Sequence, residues 1–173
     1  MNRIIAILLL VLCVGYYPLF SQGGLKLPAR VNVGTGFWSV SPVIMPVHAG
    51  MEFGLTAEIS VGFEAEWRLY SDGFYHNVFT LQITGDYYFN SLIGLDDTWD
   101  VYAGLQFGPG YITAANNYPK SAEGFNLFLD GLVGGRWYFV DSMALNAEAG
   151  LLGIFPDLVG PTPFINFGLS IVL

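Results

Sequence analysis

The chain has 173 residues, the length of one ordinary domain, and it is 53% hydrophobic with only 12% charged residues. Because a typical soluble domain has about a quarter of its residues charged, this composition favours a protein in contact with lipid or one with a very large apolar core. Six Lys and Arg against fourteen Asp and Glu give a formal net charge of -8. With no basic patch to bind phosphate, a nucleic-acid partner is excluded.

Residues 1–21 have the pattern of a secretory signal peptide. An apolar run from Ile4 to Val14 follows a basic residue, and the small residue Ser21 stands at the expected cleavage point. The run is shorter than the roughly 20 residues of a transmembrane helix, which favours a cleaved segment over an uncleaved anchor. Cys13 is the only cysteine, so we expect the mature chain, residues 22–173, to have no disulfide, thiol nucleophile or cysteine-bound metal.

Alternation of apolar and polar residues runs through the mature chain and predicts eight β-strands. No segment has a helical apolar stripe of useful length, and 22 glycines disfavour long helices. The predicted strands are residues 30–38, 47–55, 58–70, 78–89, 100–112, 125–139, 143–155 and 164–173. Each is close to the ten or so residues expected of a tilted transmembrane strand.

The predicted connections alternate between long loops and shorter turns. The loops 39–46, 71–77, 113–124 and 156–163 hold most of the prolines, while the connections 56–57, 90–99 and 140–142 lie at the opposite end. This arrangement is typical of outer-membrane barrels with both termini on the periplasmic side. We therefore expect a single all-β domain: a closed, antiparallel, up-and-down transmembrane β-barrel of about eight strands.

The two faces of the predicted strands indicate which one meets lipid. The apolar rows contain no Asp, Glu, Lys or Arg, and the polar rows are mainly Gly, Asn, Ser, Thr and Glu. A soluble barrel would need a charged, lysine-bearing outer row, whereas small polar residues fit a narrow lumen. Aromatic residues concentrate at both strand ends, as expected at two membrane–water interfaces. They are Phe37, Trp38, Trp67, Phe79, Tyr111, Phe125 and Phe155 at the loop side, and Phe53, Tyr87, Phe89, Trp99, Trp137 and Phe139 at the turn side.

Several segments look like hairpins of small outer-membrane β-barrel proteins of the OmpA/OmpX type: GMEFGLTAEISVGFEAEW, GDYYFN, WDVYAGLQFGPGY and GGRWYFVDSMALNAEAG. The closing NFGLSIVL is similar to the barrel-assembly signal of such proteins, through Asn166, Gly168, Ile171 and Leu173. The resemblance implies an integral, multi-pass protein of the cell outer membrane. It also implies contact with outer-membrane lipid and lipopolysaccharide, and insertion by the barrel-assembly machinery.

A predicted polar network lies inside the barrel by strand parity. It comprises Glu52, Glu64, Glu66, Arg68, Asp86, Asp130, Arg136 and Glu148, with Arg30 near the periplasmic mouth. The network is either structural filling made of salt bridges or a narrow cation-preferring path, since its acids outnumber its arginines. Arg136 and Glu148 are at similar distances from the turn at 140–142 and form the predicted cross-strand pair.

A second inward group is apolar and lies on the loop side of the last three strands. It comprises Phe128, Leu132, Leu152, Ile154 and Phe164, with Pro156, Pro161 and Pro163 expected to interrupt strand pairing nearby. The group is either a mouth for a lipid or small hydrophobic molecule, by resemblance to barrels of the OmpW type, or a dry cap.

Catalysis is the remaining alternative, because some small barrels modify lipid A with a His, a Ser and an acid. The only histidines are His48 and His76, and neither has a hydroxyl residue two positions further on. We therefore predict no catalytic residue. The acidic turn at Asp96, Asp97 and Asp100 lacks the spacing of a calcium loop, so no metal or cofactor is predicted either.

The predicted function is that of a non-enzymatic structural or surface-interaction barrel. Its loops would present Phe74–Tyr75, Asn116–Tyr118 and Leu158–Val159 to the outside, since binding residues usually lie on loops held by a rigid scaffold. The alternatives are a narrow channel or carrier and a lipid A-modifying enzyme. The sequence names no particular extracellular partner.

Overall fold

The structure is a computed structural model that describes residues 29–38, 46–69, 75–114, 123–155 and 159–173. The predicted signal peptide, residues 1–21, lies outside these ranges. So do Phe74, Asn116–Tyr118 and Leu158, which were predicted to be displayed by the loops.

Eight antiparallel strands form a closed barrel in which each strand pairs with its neighbours in the sequence and the last pairs with the first. The strands are β1 (Ala29–Trp38), β2 (Val47–Gly54), β3 (Ile59–Leu69), β4 (Tyr75–Tyr88), β5 (Trp99–Ala114), β6 (Gly124–Val140), β7 (Met143–Phe155) and β8 (Val159–Val172). The prediction of a closed up-and-down transmembrane barrel is confirmed.

Strand β8 begins at Val159, five residues earlier than predicted. Pro163 pairs with Leu151 of β7, so the expectation that it interrupts pairing is wrong. The β7–β8 register does shift between Leu152 and Ile154, next to Pro161, as expected, and Pro156 lies outside the described residues. Within the described residues, β8 pairs with β1 from Phe164, opposite Trp38, to Val172, opposite Arg30. Pro163 precedes this stretch, so its missing N–H removes no bond from the described β1–β8 ladder.

A short helix, α1 (Asn90–Ile93), lies in the connection between β4 and β5 and was not predicted. It ends at Gly94, whose φ of 66° is left-handed and whose N–H bonds to the Asn90 carbonyl. Glycine adopts this conformation without the steric cost of a Cβ. Among the residues that the structure describes, no helix is both long and apolar enough to cross a membrane.

The outer surface of the barrel is apolar along the middle of its strands. Ile83, Leu105 and Val133 lie there on three neighbouring strands and are 69%, 64% and 61% exposed. No second layer covers them, and exposing such side chains to water costs roughly 25 cal/mol per Å². This surface therefore matches a hydrocarbon environment.

Aromatic side chains border this apolar band at both ends. At the loop side, Trp67, Phe79, Tyr111 and Phe125 pair in register across β3 to β6; at the turn side, Trp99 stacks on Trp137 with ring centroids 6.2 Å apart. Phe125 and Trp137 are twelve residues apart on β6, a rise of roughly 40 Å along a strand. At a tilt of about 40° this is roughly 30 Å along the barrel axis, which matches the hydrocarbon thickness of a bilayer.

Barrel closure depends on the last residues of the chain. Val172 pairs with Arg30 and Ile171 with Val31, and the Leu173 N–H bonds to the Ala29 carbonyl at 2.9 Å. A chain lacking Ile171–Leu173 is expected to fail to form a folded barrel in the outer membrane, because the β1–β8 seam loses its turn-side end. The measurement is the heat-dependent shift of the extracted protein on SDS gels.

The matched control for this truncation is Leu173→Phe, which keeps the backbone bond and the apolar side chain and should fold as the wild type does. A truncated chain that reached the outer membrane and still showed the heat-dependent shift would contradict the prediction.

Candidate functional site in the barrel interior

The barrel interior is filled with side chains at two levels. Near the turn side is a group that we call the polar plug, made of Arg30, Glu52, Tyr88, Tyr102 and Arg136. Near the loop side is a group that we call the apolar plug, made of Val78, Ile112, Phe128, Leu152 and Phe164; the same hydrophobic cluster continues through Leu132 to Tyr102 and Tyr88 of the polar plug. Acidic and amide side chains fill the rest of the interior between the two levels.

Arg136 is the centre of the polar plug and is 1% exposed. Its Nη2 lies 2.5 Å from Glu52 Oε2, and its Nη1 donates to the Tyr88 hydroxyl. The guanidinium also lies 4.6 Å from the centroid of the Tyr102 ring, a distance typical of a cation–π contact. The Glu52 carboxylate, the Tyr88 hydroxyl and the face of the Tyr102 ring together compensate for the loss of water around the guanidinium group.

Glu52 accepts bonds from two arginines. Arg30 Nη1 lies 2.9 Å from Glu52 Oε1, and the Tyr88 hydroxyl also donates to that oxygen. Arg30 reaches Asp100 as well, at 3.5 Å. Glu52 thus holds both guanidinium groups in place, and removing its carboxylate would leave the buried Arg136 charge without its ion-pair partner.

The predicted pairing of Arg136 with Glu148 is wrong. Arg136 faces Asn146 in the β6–β7 register, two residues nearer to the turn than Glu148. Glu148 lies opposite Gly134 and accepts a bond of 2.6 Å from the Tyr102 hydroxyl. The Tyr102 ring occupies the space that a Cβ at Gly134 would fill.

The middle of the lumen is acidic. Glu64 has His48 as its partner, with Nδ1 and Oε1 3.5 Å apart, and Asp86 accepts a weak bond of 3.4 Å from Ser60. Within the described part of the chain, neither Asp86 nor Glu148 lies within 4.0 Å of an Arg or Lys nitrogen. Glu64, Asp86 and Glu148 line a cavity of about 20 Å³, which is room for about one water molecule.

The remaining predicted network residues lie closer to the loop side. Arg68 binds Glu66 of the same strand through two nitrogens, with Nε 2.5 Å from Oε1. Asp130 accepts a bond of 3.0 Å from the Gln82 amide. The structure thus places all eight predicted network residues in the interior, but in separate groups rather than in one continuous chain.

The apolar residues predicted near the loop side come together. Phe128 is 0% exposed and Leu152 1%; Leu132 and Phe164 are also buried, and Ile154 packs against the same cluster. Val78 and Ile112, which were not predicted as part of this group, pair across β4 and β5 and complete the plug. Both have even numbers in their strands, and strand parity therefore indicated that their side chains face the interior. A cluster packed this closely fits the dry-cap alternative.

The catalytic alternative would need a histidine as a base, and His48 lies inside the barrel. His48 is 4% exposed, and its ring occupies the space that a Cβ at Gly34 would fill. A site that modifies lipid has to open toward lipid, which this imidazole does not. His76 lies in β4, but its side chain is outside the described part of the structure. No group of three or more His, Cys, Asp or Glu among the described residues could hold a metal ion.

Arg136→Met is expected to lower the free energy of unfolding by about 3–5 kcal/mol, the usual cost of removing one member of a buried ion pair. Glu52→Gln should also destabilise, because it leaves Arg136 without its carboxylate partner and Arg30 with Asp100 alone, at 3.5 Å. The double variant should lose less than the sum of the single losses, since neither charge is then left opposite its former partner. Urea unfolding in lipid vesicles measures all three.

The matched control is Leu105→Val on the lipid-facing surface, which changes no interior contact and should unfold as the wild type does. Strictly additive losses for Arg136→Met and Glu52→Gln would show that the pair does not act as a unit.

Similarity to known proteins is confined to the fold. No protein-family model matches the chain, and no curated protein sequence matches it. Among solved structures, the chain is similar to Neisserial surface protein A, with a TM-score of 0.59, 9% identity, and coverage of 84% of this chain and 94% of that one. For the outer membrane enzyme PagL the TM-score is 0.52 at 11% identity, covering 83% and 98%.

A de novo designed transmembrane β-barrel is as similar as the natural proteins, with a TM-score of 0.59, 13% identity, and coverage of 84% and 95%. A barrel designed without descent from any natural family thus matches this chain as well as a surface protein does. The shared fold therefore does not indicate the function of this chain. What the comparisons do show is that the chain has the fold of the small outer-membrane β-barrels of the OmpA/OmpX type.

Proposed function

We propose that this chain is an integral outer-membrane protein with a non-enzymatic role, acting as a closed, rigid scaffold that holds its loop-side connections toward the cell exterior. The observation that carries this proposal is the filled interior, in which Phe128 and Arg136 are 0% and 1% exposed at two separate levels. Because buried side chains block the lumen at two levels, the interior favours a scaffold role over transport of a solute.

The proposed location follows from the outer surface and the closing strand. The apolar band and its aromatic borders fit a bilayer, and outer-membrane lipid and lipopolysaccharide are the proposed neighbours. Asn166, Gly168, Ile171 and Leu173 are the proposed assembly signal, read by the barrel-assembly machinery after export of the chain.

A narrow cation channel is the second candidate, because acidic rings favour cations and Glu64, Asp86 and Glu148 line the small central cavity, although Arg136 lines it too. A cation would have to pass both plugs to use it. The enzyme alternative has the shared fold of PagL in its favour, but the buried position of His48 argues against it.

Purified wild-type protein in planar bilayers is expected to show no conductance steps. Because the two plugs lie in series, Arg136→Ala alone and Phe128→Ala alone should also stay silent, while the double variant should conduct. Heat-dependent gel shifts identify which variants are folded before recording. Well-resolved steps from the wild type would overturn the closed scaffold and support the channel.

Replacing residues 115–122 with a Gly-Ser linker of equal length is expected to leave the free energy of unfolding within about 1 kcal/mol of the wild type, because loop sequence contributes little when length is kept. The measurement is urea unfolding in lipid vesicles. As a contrast, Phe128→Ala should cost about 3–5 kcal/mol through the cavity it leaves in the apolar plug. A collapse of the barrel on loop replacement would contradict the scaffold.

A further inference from the structure

The connection between β4 and β5 exposes apolar side chains at the turn side of the barrel. Leu92 is 68% exposed and Ile93 57% in α1, and Leu95 follows at 36%. These residues lie outside the strands, so they do not belong to the alternating lipid-facing rows. Three large apolar side chains in one solvent-directed turn would be unfavourable in water.

Helix α1 is held at the level of the turn-side aromatic residues. The Asn90 side chain donates to the Trp99 carbonyl at 2.9 Å and to Asp100 at 2.6 Å, and its oxygen accepts from the Val101 N–H at 2.9 Å. The connection therefore folds back against the start of β5 instead of extending away from the barrel. This clamp keeps Leu92 within about one helical turn, roughly 5 Å, of Asn90.

Both ends of the connection continue the lipid-facing surface. At its start, the Tyr87 and Phe89 rings lie 5.2 Å apart; at its end, Trp99 stacks on Trp137. Such rings mark the depth at which hydrocarbon gives way to headgroups. Apolar side chains clamped between them therefore lie beside an interface that the barrel already forms.

Charge along the connection changes after Leu95. Asp96 and Asp97 are exposed, and the Thr98 N–H and hydroxyl both donate to Asp96 Oδ1. These hydrogen bonds lower the pKa of Asp96, so its carboxylate stays ionised at neutral pH. The segment thus has an apolar part at Leu92–Leu95 and a charged part that requires water, as in segments that lie in the plane of an interface.

We propose that Leu92, Ile93 and Leu95 insert into the boundary between headgroups and acyl chains of the turn-side leaflet, so that this connection is a lipid-binding anchor at the barrel rim. The inference rests on the transmembrane fold and not on the proposed scaffold function. The partner is the lipid surface itself, bound through the apolar side chains of α1 and Leu95.

The test uses single-cysteine variants in a Cys13→Ser background, each labelled with the environment-sensitive fluorophore NBD and placed in nanodiscs of phosphatidylcholine and phosphatidylglycerol. Leu92→Cys reports on the proposed anchor. Asp97→Cys is the aqueous control from the same connection, and Ile83→Cys, in the middle of the lipid-facing band, is the hydrocarbon control. Quenching is compared between a nitroxide-bearing lipid and aqueous iodide.

The Leu92 probe is expected to emit at shorter wavelength than the Asp97 probe, to be quenched by the lipid nitroxide and to resist iodide. A Leu92 probe that emits and quenches like the Asp97 probe, while the Ile83 probe reports hydrocarbon, would overturn the anchor but leave the transmembrane barrel intact. An Ile83 probe in water would instead refute the bilayer placement on which the anchor depends.

Discussion

Every backbone N–H and C=O within a hydrocarbon layer must find a partner in the protein, because no water is available there. A sheet satisfies this requirement only if its first and last strands pair, and here β8 closes on β1 from Arg30–Val172 to Trp38–Phe164. The outward rows can then be wholly apolar, since no polar backbone edge remains exposed. Closure also separates the side chains into two sets, those that face the lumen and those that face the lipid.

Closure around eight strands leaves a narrow interior whose polar side chains are far from bulk water. Both Arg30 and Arg136 form ion pairs with Glu52. Their guanidinium groups also lie over aromatic rings, Arg30 over Tyr88 and Arg136 over Tyr102. Removing a charge from water is costly unless its partners have good geometry. The polar plug is therefore a consequence of placing these residues inside, and it is also what makes the interior solid. Its residues fix the shape of the lumen without needing a substrate to explain them.

Alternation predicted which residues face inward, because parity is a local property that a single strand expresses by itself. It could not predict that Arg136 binds Glu52, 84 residues away, since that contact crosses the lumen and depends on the stagger between strands. The β6–β7 register that sets Asn146 rather than Glu148 opposite Arg136 was likewise not visible in the alternation of a single strand. The start of β8 was misplaced because a proline breaks a strand only where its N–H is needed, and the pairing of Pro163 with Leu151 of β7 is not visible in the local sequence.

The wall of this barrel is uneven in height. The strands β1 and β2 have 10 and 8 residues, whereas β5 and β6 have 16 and 17. At the loop side, β2 begins at Val47, level with Trp67 of the aromatic row, while β5 continues three residues past Tyr111. Among the described residues, β4 begins four residues before Phe79 of that row, whereas β6 begins only one residue before Phe125. The hydrogen-bonded wall that rises furthest past the loop-side aromatic row is therefore formed by β4 and β5, so rigid backbone extends beyond the membrane boundary on that side of the barrel.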